Sequence, residues 1–372
     1  MSGDSQRTQR GFDASRVWAV VIGIDDYPTS PLRGGVSDAA EVVKYLADEL
    51  HVPKNNIQCL LGSTNNQPQK SPSCSSFISA VKHFFGFSLH CNTDSINCSS
   101  ATHPSIHTKS ATRANIIKAL LKLSDNSNIQ EGDNIVIYFA GHGSCYPGSE
   151  FYNGDPVASA GHIEALCPMD RSSSVPDICD REINRIISHI SDKKGHHITL
   201  IMDCCHSAGV TRVVIPGVRR ADPMPGASIK AMFDAADEDL GELPGYKSVS
   251  MEDWRENMDT HVVLAACKEA QFATEAQHKG KSGYNGVFTQ ALLRVFRNGH
   301  LEDGSTYVDV IRHLNESSSQ CYSQTAVVAG RYKYARVLYQ ETDAQLSNVE
   351  SLVSPGPSSQ GSQEERFEGE SA

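Results

Sequence analysis

The chain has 372 residues, 39% of them hydrophobic, which allows a sizeable core and either one large domain or two ordinary ones. Its formal net charge of −11 argues against a nucleic-acid surface, which is normally basic. Eleven cysteines without a single C-x-x-C pair exclude neither function nor fold, but they argue against a disulfide framework and a structural zinc site.

In chain order, residues 1–15 read as a flexible polar lead-in, "MSGDSQRTQR" having none of the apolar character of a secretory signal. The first apolar run, Val17–Ile24, is too short to span a membrane. The expectation is a soluble, cytoplasmic protein with no membrane partner. "RVWAVVIGI" predicts a buried strand, and "SDAAEVVKYLADEL" a helix capped by Ser37. "NIQCLLG" reads as a short strand. Residues 63–110, rich in Ser, Asn, Thr and Pro, read as a surface insertion.

"TRANIIKALLKL" predicts a helix with Thr112 as its cap. "DNIVIYFAGHGS" is a strand that runs into a glycine turn, and "DREINRIISHI" is a helix capped by Asp180. "HHITLIMDCCHSAG" and "THVVLAACKEAQ" are two more strands that end in turns. Residues 213–258 read as a linker or exposed loop between two halves. "GVFTQALLRVFRNG" and "TYVDVIRHLNES" are helices, "YARVLYQ" a last strand, and residues 341–372 a disordered acidic tail. Alternating strands and helices imply a mostly parallel sheet with helices on both faces, whose working residues collect at the carboxyl ends of strands.

Two strand ends carry unusual chemistry. His142 lies in "AGHGS" and Cys205 in "DCCHS", 63 residues apart, which is room for one crossover helix. A cysteine nucleophile needs a histidine near in space to make its thiolate and carry its proton. The amides of Gly143 and Cys205 are placed to hold an oxyanion. Residue pattern alone leaves a structural His and a buried structural Cys open as the alternative. His206 competes for the base role, although a direct neighbour tends to point away.

"VVIGIDDY", "LRGGVSDA", "DNIVIYFAGHGS", "ALCPMD", "DREI", "DCCHSAG", "THVVLAAC" and "GVFTQALL" occur in that order. Together they resemble the caspase-like cysteine peptidases, most closely the metacaspases, over residues 16–340. The resemblance implies a three-layer α/β fold of caspase type. It divides the domain into a large-subunit-like region (16–212), a linker (213–258) and a small-subunit-like region (259–340).

It also implies an endopeptidase acting on protein or peptide substrates after Arg or Lys. Cys205 is then the nucleophile, His142 the general base, and Asp38 and Asp203 the acids that bind the cationic side chain. Cys204 becomes an adjacent thiol. Self-cleavage in the linker would follow Arg212, Arg219, Arg220, Lys230 or Lys247. A monomer and a role in cell death or stress are further implications.

The chemistry requires no cofactor. Many metacaspases bind calcium, and Asp170 and Asp180 match two of the acids concerned. Arg181, where a second Asp is usual, weakens that expectation, because hard cations want anionic oxygens. Gly35 stands where relatives usually have Cys. These departures keep a catalytically weak or inactive interaction module as the alternative. An Asp-preferring peptidase is the second alternative, although the local "QACRG" pattern of true caspases is absent.

Overall fold

The computed structural model describes residues 12–63, 106, 108–151, 161–205, 217–268, 271–277, 283–300, 304–317 and 324–338. The expected lead-in up to residue 11, most of the 63–110 insertion and the acidic tail lie outside the described residues.

The first strand, β1 (Val17–Ile24), is buried along its whole length. Its alternate side chains feed two separate cores. Val17, Ala19 and Val21 join one cluster, and Trp18, Val20, Ile22 and Ile24 join the other. That two-sided burial is what a continuous apolar run provides and what a parallel sheet covered on both faces requires.

The sheet is completed by β2 (Ile57–Gly62), β3 (Thr108–Ser110), β4 (Asn134–Ala140), β8 (Ile198–Asp203), β9 (Val262–Ala265) and β12 (Val327–Ala329). Its order is β12-β9-β8-β4-β1-β2-β3, and only β12 is antiparallel to its neighbour. The chain therefore leaves β1 toward β2 and later returns on its other side through β4. In such sheets the point where strand order reverses opens a crevice at the carboxyl edge.

Helices α1 (Gly35–Lys44), α5 (Val287–Val295) and α6 (Tyr307–Ser317) bury their apolar stripes on one face. Helices α2 (Arg113–Asp125) and α3 (Asp180–Lys194) cover the other. This is the three-layer arrangement of helices on both faces of a mostly parallel sheet that the sequence led one to expect. A smaller sheet, β5 (Gly143–Pro147), β6 (His162–Leu166) and β7 (Ile178–Cys179), continues from the end of β4. With α4 (Ile229–Leu240) it encloses a third core around Tyr146, Ile163, Met232 and Phe233. A hairpin of β10 (Glu275–Gln277) and β11 (Tyr284–Gly286) precedes α5. No helix among the described residues is long and apolar enough to cross a membrane.

Thr112 caps α2 as expected, accepting from the Asn115 amide at 3.3 Å. Four expectations fail. Helix α1 begins two residues before Ser37, and its first amides, Gly35 N and Val36 N, donate to Asp25 Oδ1 instead. Asp180 is the first residue of α3 and not its cap, which is Cys179. The 213–258 segment is not an exposed loop where described. Ile229, Met232, Phe233, Ala236 and Leu240 form the buried stripe of α4, with Ser228 as its cap. The described residues of "YARVLYQ", 334–338, contribute buried Val337 and Leu338 and an isolated bridge from Arg336 to Thr306 but no strand, and the edge of the sheet is β12.

Candidate active site

The carboxyl ends of β4 and β8 lie side by side, with Ala140 paired to Asp203. His142 and Cys205 follow directly and are each 1% exposed. Gly143 meets the backbone of Cys205 so closely that a Cβ there would lie 2.0 Å from the Cys205 carbonyl oxygen. Only glycine permits the two turns to touch, which explains the second glycine of "GHG".

His142 Nε2 lies 2.7 Å from the Ser30 carbonyl oxygen. A carbonyl only accepts, so Nε2 carries the proton, and the neutral ring keeps its lone pair on Nδ1. Nδ1 is buried and makes no hydrogen bond among the described residues, although the Arg219 backbone also faces the ring. The Tyr27 hydroxyl accepts from the His142 amide at 2.8 Å, and its ring lies 4.5 Å from the imidazole. Burial lowers the imidazole pKa to about 4, aided by the cations Arg171 and Arg219.

The Cys205 thiol is not joined to His142. Its sulfur accepts from the Ala273 amide at 3.0 Å and donates to the Ala273 carbonyl at 3.4 Å. Burial pushes the Cys205 thiol far up. The resting pair is therefore neutral thiol and neutral imidazole. Cys204 points to the opposite core, the one that contains Tyr27 and Cys167.

Between these groups lies a stretch of chain. Gly143 N and Cys205 N both donate to the Arg219 carbonyl oxygen, each at 3.1 Å. Arg219 N donates to Ala273 O at 2.9 Å, Glu275 N donates to Gly217 O at 2.8 Å, and Val218 bridges Thr274 in antiparallel fashion. Beyond Arg219, the Ala221 amide donates to Gly143 O at 2.9 Å, and Asp222 O accepts from Arg171 Nη2 at 3.1 Å.

The Arg219 side chain is wholly buried. Its Nη2 donates to Asp38 Oδ2 and its Nη1 lies 2.9 Å from Asp203 Oδ2. Asp38 also accepts from Asn285 Nδ2 at 3.0 Å and Gly286 N at 2.7 Å. Asp203 also accepts from the amide and hydroxyl of Thr289. Desolvation raises the Asp38 pKa to about 7 against the pull of Arg219, with the neighbouring Asp203 adding to the rise. A Cβ on Gly286 would lie 2.2 Å from Asp203 Oδ2 and 2.9 Å from Asp38 Oδ2, so the floor of this pocket requires glycine.

A family model, the Peptidase C14 caspase domain, matches residues 16–345. The chain belongs to the caspase-domain family. Its fold is accordingly that of a family of cysteine peptidases, whose substrates are proteins. Among solved structures, protein GSU0716 from Geobacter sulfurreducens is 16% identical, with a TM-score of 0.49 over 88% of this chain and 99% of that one. The Drosophila initiator caspase Dronc is 9% identical, with a TM-score of 0.41 over 90% of this chain and 89% of that one. No curated protein matches the chain.

The structure thus brings Asp38 and Asp203 to one side chain, and the amides of Gly143 and Cys205 to one carbonyl. It places His142 and Cys205 on adjoining turns without a bond between them. His206 lies outside the described residues. Among the described residues Asp170 and Asp180 are not grouped with a third potential metal ligand. Asp170 accepts from the Arg113 amide at 2.8 Å, at the start of α2. Asp180 accepts from the Arg181 amide at 2.6 Å, and burial raises its pKa to about 6. Among the described residues no three His, Cys, Asp or Glu side chains converge. The cationic Arg181 stands beside Asp180, with its guanidinium over the Phe233 and Trp254 rings. This donor set does not fit a hard cation.

Several contributors carried no sequence signal. Ser30 and Ala273 act through backbone atoms, which no residue type announces. Asn285, Gly286 and Thr289 sit at the "YNGVFT" turn into α5 and could have been found only as the polar interruption of an apolar run. Arg219 was one of five basic candidates in its segment, with nothing to single it out.

Proposed function

We propose that the protein is a cysteine endopeptidase cutting after arginine, and less readily lysine, with Cys205 as nucleophile and His142 as base. One observation carries the reading: Arg219 lies across the site as a bound substrate would. Its carbonyl accepts from two converging amides, its guanidinium sits between two carboxylates, and its backbone extends the edge of the Ala273–Glu275 segment.

The chemistry follows from the groups in place. Cys205 turns about its Cα–Cβ bond away from Ala273 and gives its proton to His142 Nδ1. The thiolate attacks the carbonyl carbon of the residue in the Arg219 position. Negative charge develops on the oxygen already facing Gly143 N and Cys205 N. His142 then protonates the leaving amine, and water releases the acyl group from Cys205. Ser30 holds the imidazole in the tautomer that accepts at Nδ1. An aspartate side chain in the pocket would place a third carboxylate between Asp38 and Asp203, so arginine is favoured over aspartate. The planar guanidinium presents separate Nη1 and Nη2 donors to the two acids, a fixed fork that a compact ammonium does not reproduce.

Bound this way, the 217–222 segment both blocks the site and presents the Arg219–Arg220 bond for self-cleavage. Engagement of the Cys205 thiol by Ala273 favours one other reading, a caspase-fold interaction module without turnover. The deciding experiment is incubation of the purified chain, with sequencing of any new amino terminus, together with hydrolysis of an Arg-linked fluorogenic peptide across calcium concentrations. A new terminus at Arg220 that is lost in Cys205→Ala supports the peptidase. An intact chain and no peptide hydrolysis at any calcium concentration overturns it.

A further inference from the structure

The pocket for Arg219 accounts for only one side of the bond to be cut, and the residues after that bond are held as well. Gly143 bridges Arg220 in parallel fashion. Its amide donates to Arg219 O at 3.1 Å, and its carbonyl accepts from Ala221 N at 2.9 Å. One glycine thus grips the backbone on both sides of the Arg219–Arg220 bond. Gly143 opens β5, and Cys167 N, just past β6, donates to His142 O at 3.0 Å. The smaller sheet therefore continues directly from the turn that carries His142.

Arg171, in the loop between β6 and β7, supplies the next contact. It is 2% exposed, and its guanidinium is forked onto Asp177: Nε donates to Oδ1 at 2.9 Å and Nη2 to Oδ2 at 2.7 Å. The Tyr146 hydroxyl donates to the same carboxylate at 2.8 Å. Nη2 also donates to Asp222 O at 3.1 Å. A donor locked in this way is in position before any chain arrives, so little order is lost on binding. The side chains of the segment meet different surroundings. Ala221 is 6% exposed and joins the core that contains Tyr27, Leu166 and Cys167, whereas Asp222 is exposed. A larger side chain in place of Ala221 would overpack that core.

We propose that Gly143 and Arg171 form a leaving-side subsite that takes three residues of polypeptide after the cut bond, the second of them small. The proposal rests on the peptidase reading of the same site. Arg171 is a specificity-determining residue, since it touches the substrate backbone and not the reacting atoms. The second residue is selected by size, through the place Ala221 fills. The third is recognised through its carbonyl alone, whatever its side chain. A substrate that ends shortly after its arginine leaves the Arg171 donor unused.

The test follows peptide hydrolysis by the full-length chain with mass spectrometry. The reference peptide is Gly-Val-Arg-Arg-Ala-Asp with blocked ends. A second peptide stops at the alanine as a primary amide, a third has leucine for that alanine, and a fourth has alanine for the aspartate. Relative to the reference, kcat/KM is expected to fall about tenfold for the shortened and leucine peptides and to stay within about twofold for the fourth. In Arg171→Gln the penalty for shortening is expected to vanish. Equal rates for the reference and either the shortened or the leucine peptide overturn the subsite, and a penalty retained in Arg171→Gln removes Arg171 from it. Should Arg171→Gln fail to fold, the four peptides on the wild-type chain decide alone. If no peptide is hydrolysed, the peptidase reading fails, and binding of the same peptides to Cys205→Ala/Arg219→Gln, whose own segment lacks its anchor, decides the subsite. Reference binding at least about fivefold tighter than that of the shortened peptide keeps it as a peptide groove, and equal or absent binding overturns it.

Discussion

Arg219→Gln tests the electrostatics of the pocket most directly. The substitution leaves Asp38 and Asp203 facing each other in a buried site with no cation between them. Removing one partner of a buried ion pair costs about 3–5 kcal/mol. Here the loss depends on pH. Asp38 already titrates at about 7 with Arg219 beside it, and loss of that cation moves it further up, because the like charge of Asp203 remains.

A folded-state pKa raised above the unfolded value of 3.8 means that the folded chain holds the proton more tightly. The contribution to stability is fully present below 3.8 and is lost as pH rises through the folded value. Between pH 6 and 8 the wild-type pocket, titrating at about 7, loses about 1 kcal/mol. A pocket that stays protonated throughout loses about 3 kcal/mol. The destabilisation caused by Arg219→Gln should therefore be about 1–2 kcal/mol larger at pH 8 than at pH 6. Urea unfolding of Arg219→Gln in a Cys205→Ala background, compared with Cys205→Ala alone at both pH values, reads this without interference from self-cleavage. A destabilisation below 1 kcal/mol, identical at the two pH values, would refute the buried-pair account.

Three further outcomes follow from the same geometry. Cys205→Ala should lower Arg-peptide hydrolysis by at least about 10³-fold, whereas Cys204→Ala, facing the other core, should stay within a few-fold; equal losses in a kinetic comparison would remove Cys205 from its role. Gly286→Ala should push a methyl group against both carboxylates and raise KM for an Arg substrate while sparing the fold, which circular dichroism and steady-state kinetics separate. His142, its pKa lowered from 6.5 to about 4, contributes stability above 6.5 that is lost as pH falls toward 4, up to about 3 kcal/mol. An imidazole NMR titration that finds His142 near 6.5 contradicts that burial.

Much of this architecture was readable from residue pattern, and the exceptions have physical reasons. β1 was plain because eight consecutive apolar residues suit a strand buried on both faces. Helix α2 was plain because Thr112 caps it locally. The start of α1 was misread because its cap, Asp25, comes from a loop ten residues upstream. Helix α4 was missed because the Pro, Gly and acidic residues around it masked the spacing of Ile229, Met232, Phe233, Ala236 and Leu240. His142 and Cys205 stood out by their glycine and strand contexts. The rest of the site did not, since Ser30 and Ala273 act through carbonyl and amide groups, and the Asp38–Asp203 pocket draws its walls from segments more than 240 residues apart in the chain.

On the proposed peptidase reading, the seating of Arg219 also fixes how outside substrates would be felt. A segment tethered beside the site it occupies acts at an effective concentration in the millimolar range, so on that reading a free peptide competes with it at every encounter. Only molecules in which the 217–222 segment has lifted can accept that peptide, and the apparent affinity is the intrinsic one multiplied by that open fraction. If docking of the segment is favourable by about 2.8 kcal/mol, roughly one molecule in a hundred is open and the apparent KM rises about a hundredfold. Whatever weakens that docking, by cutting the chain or by drawing off the segment, then acts as a gain control on the whole population, with no change needed in the chemical groups themselves.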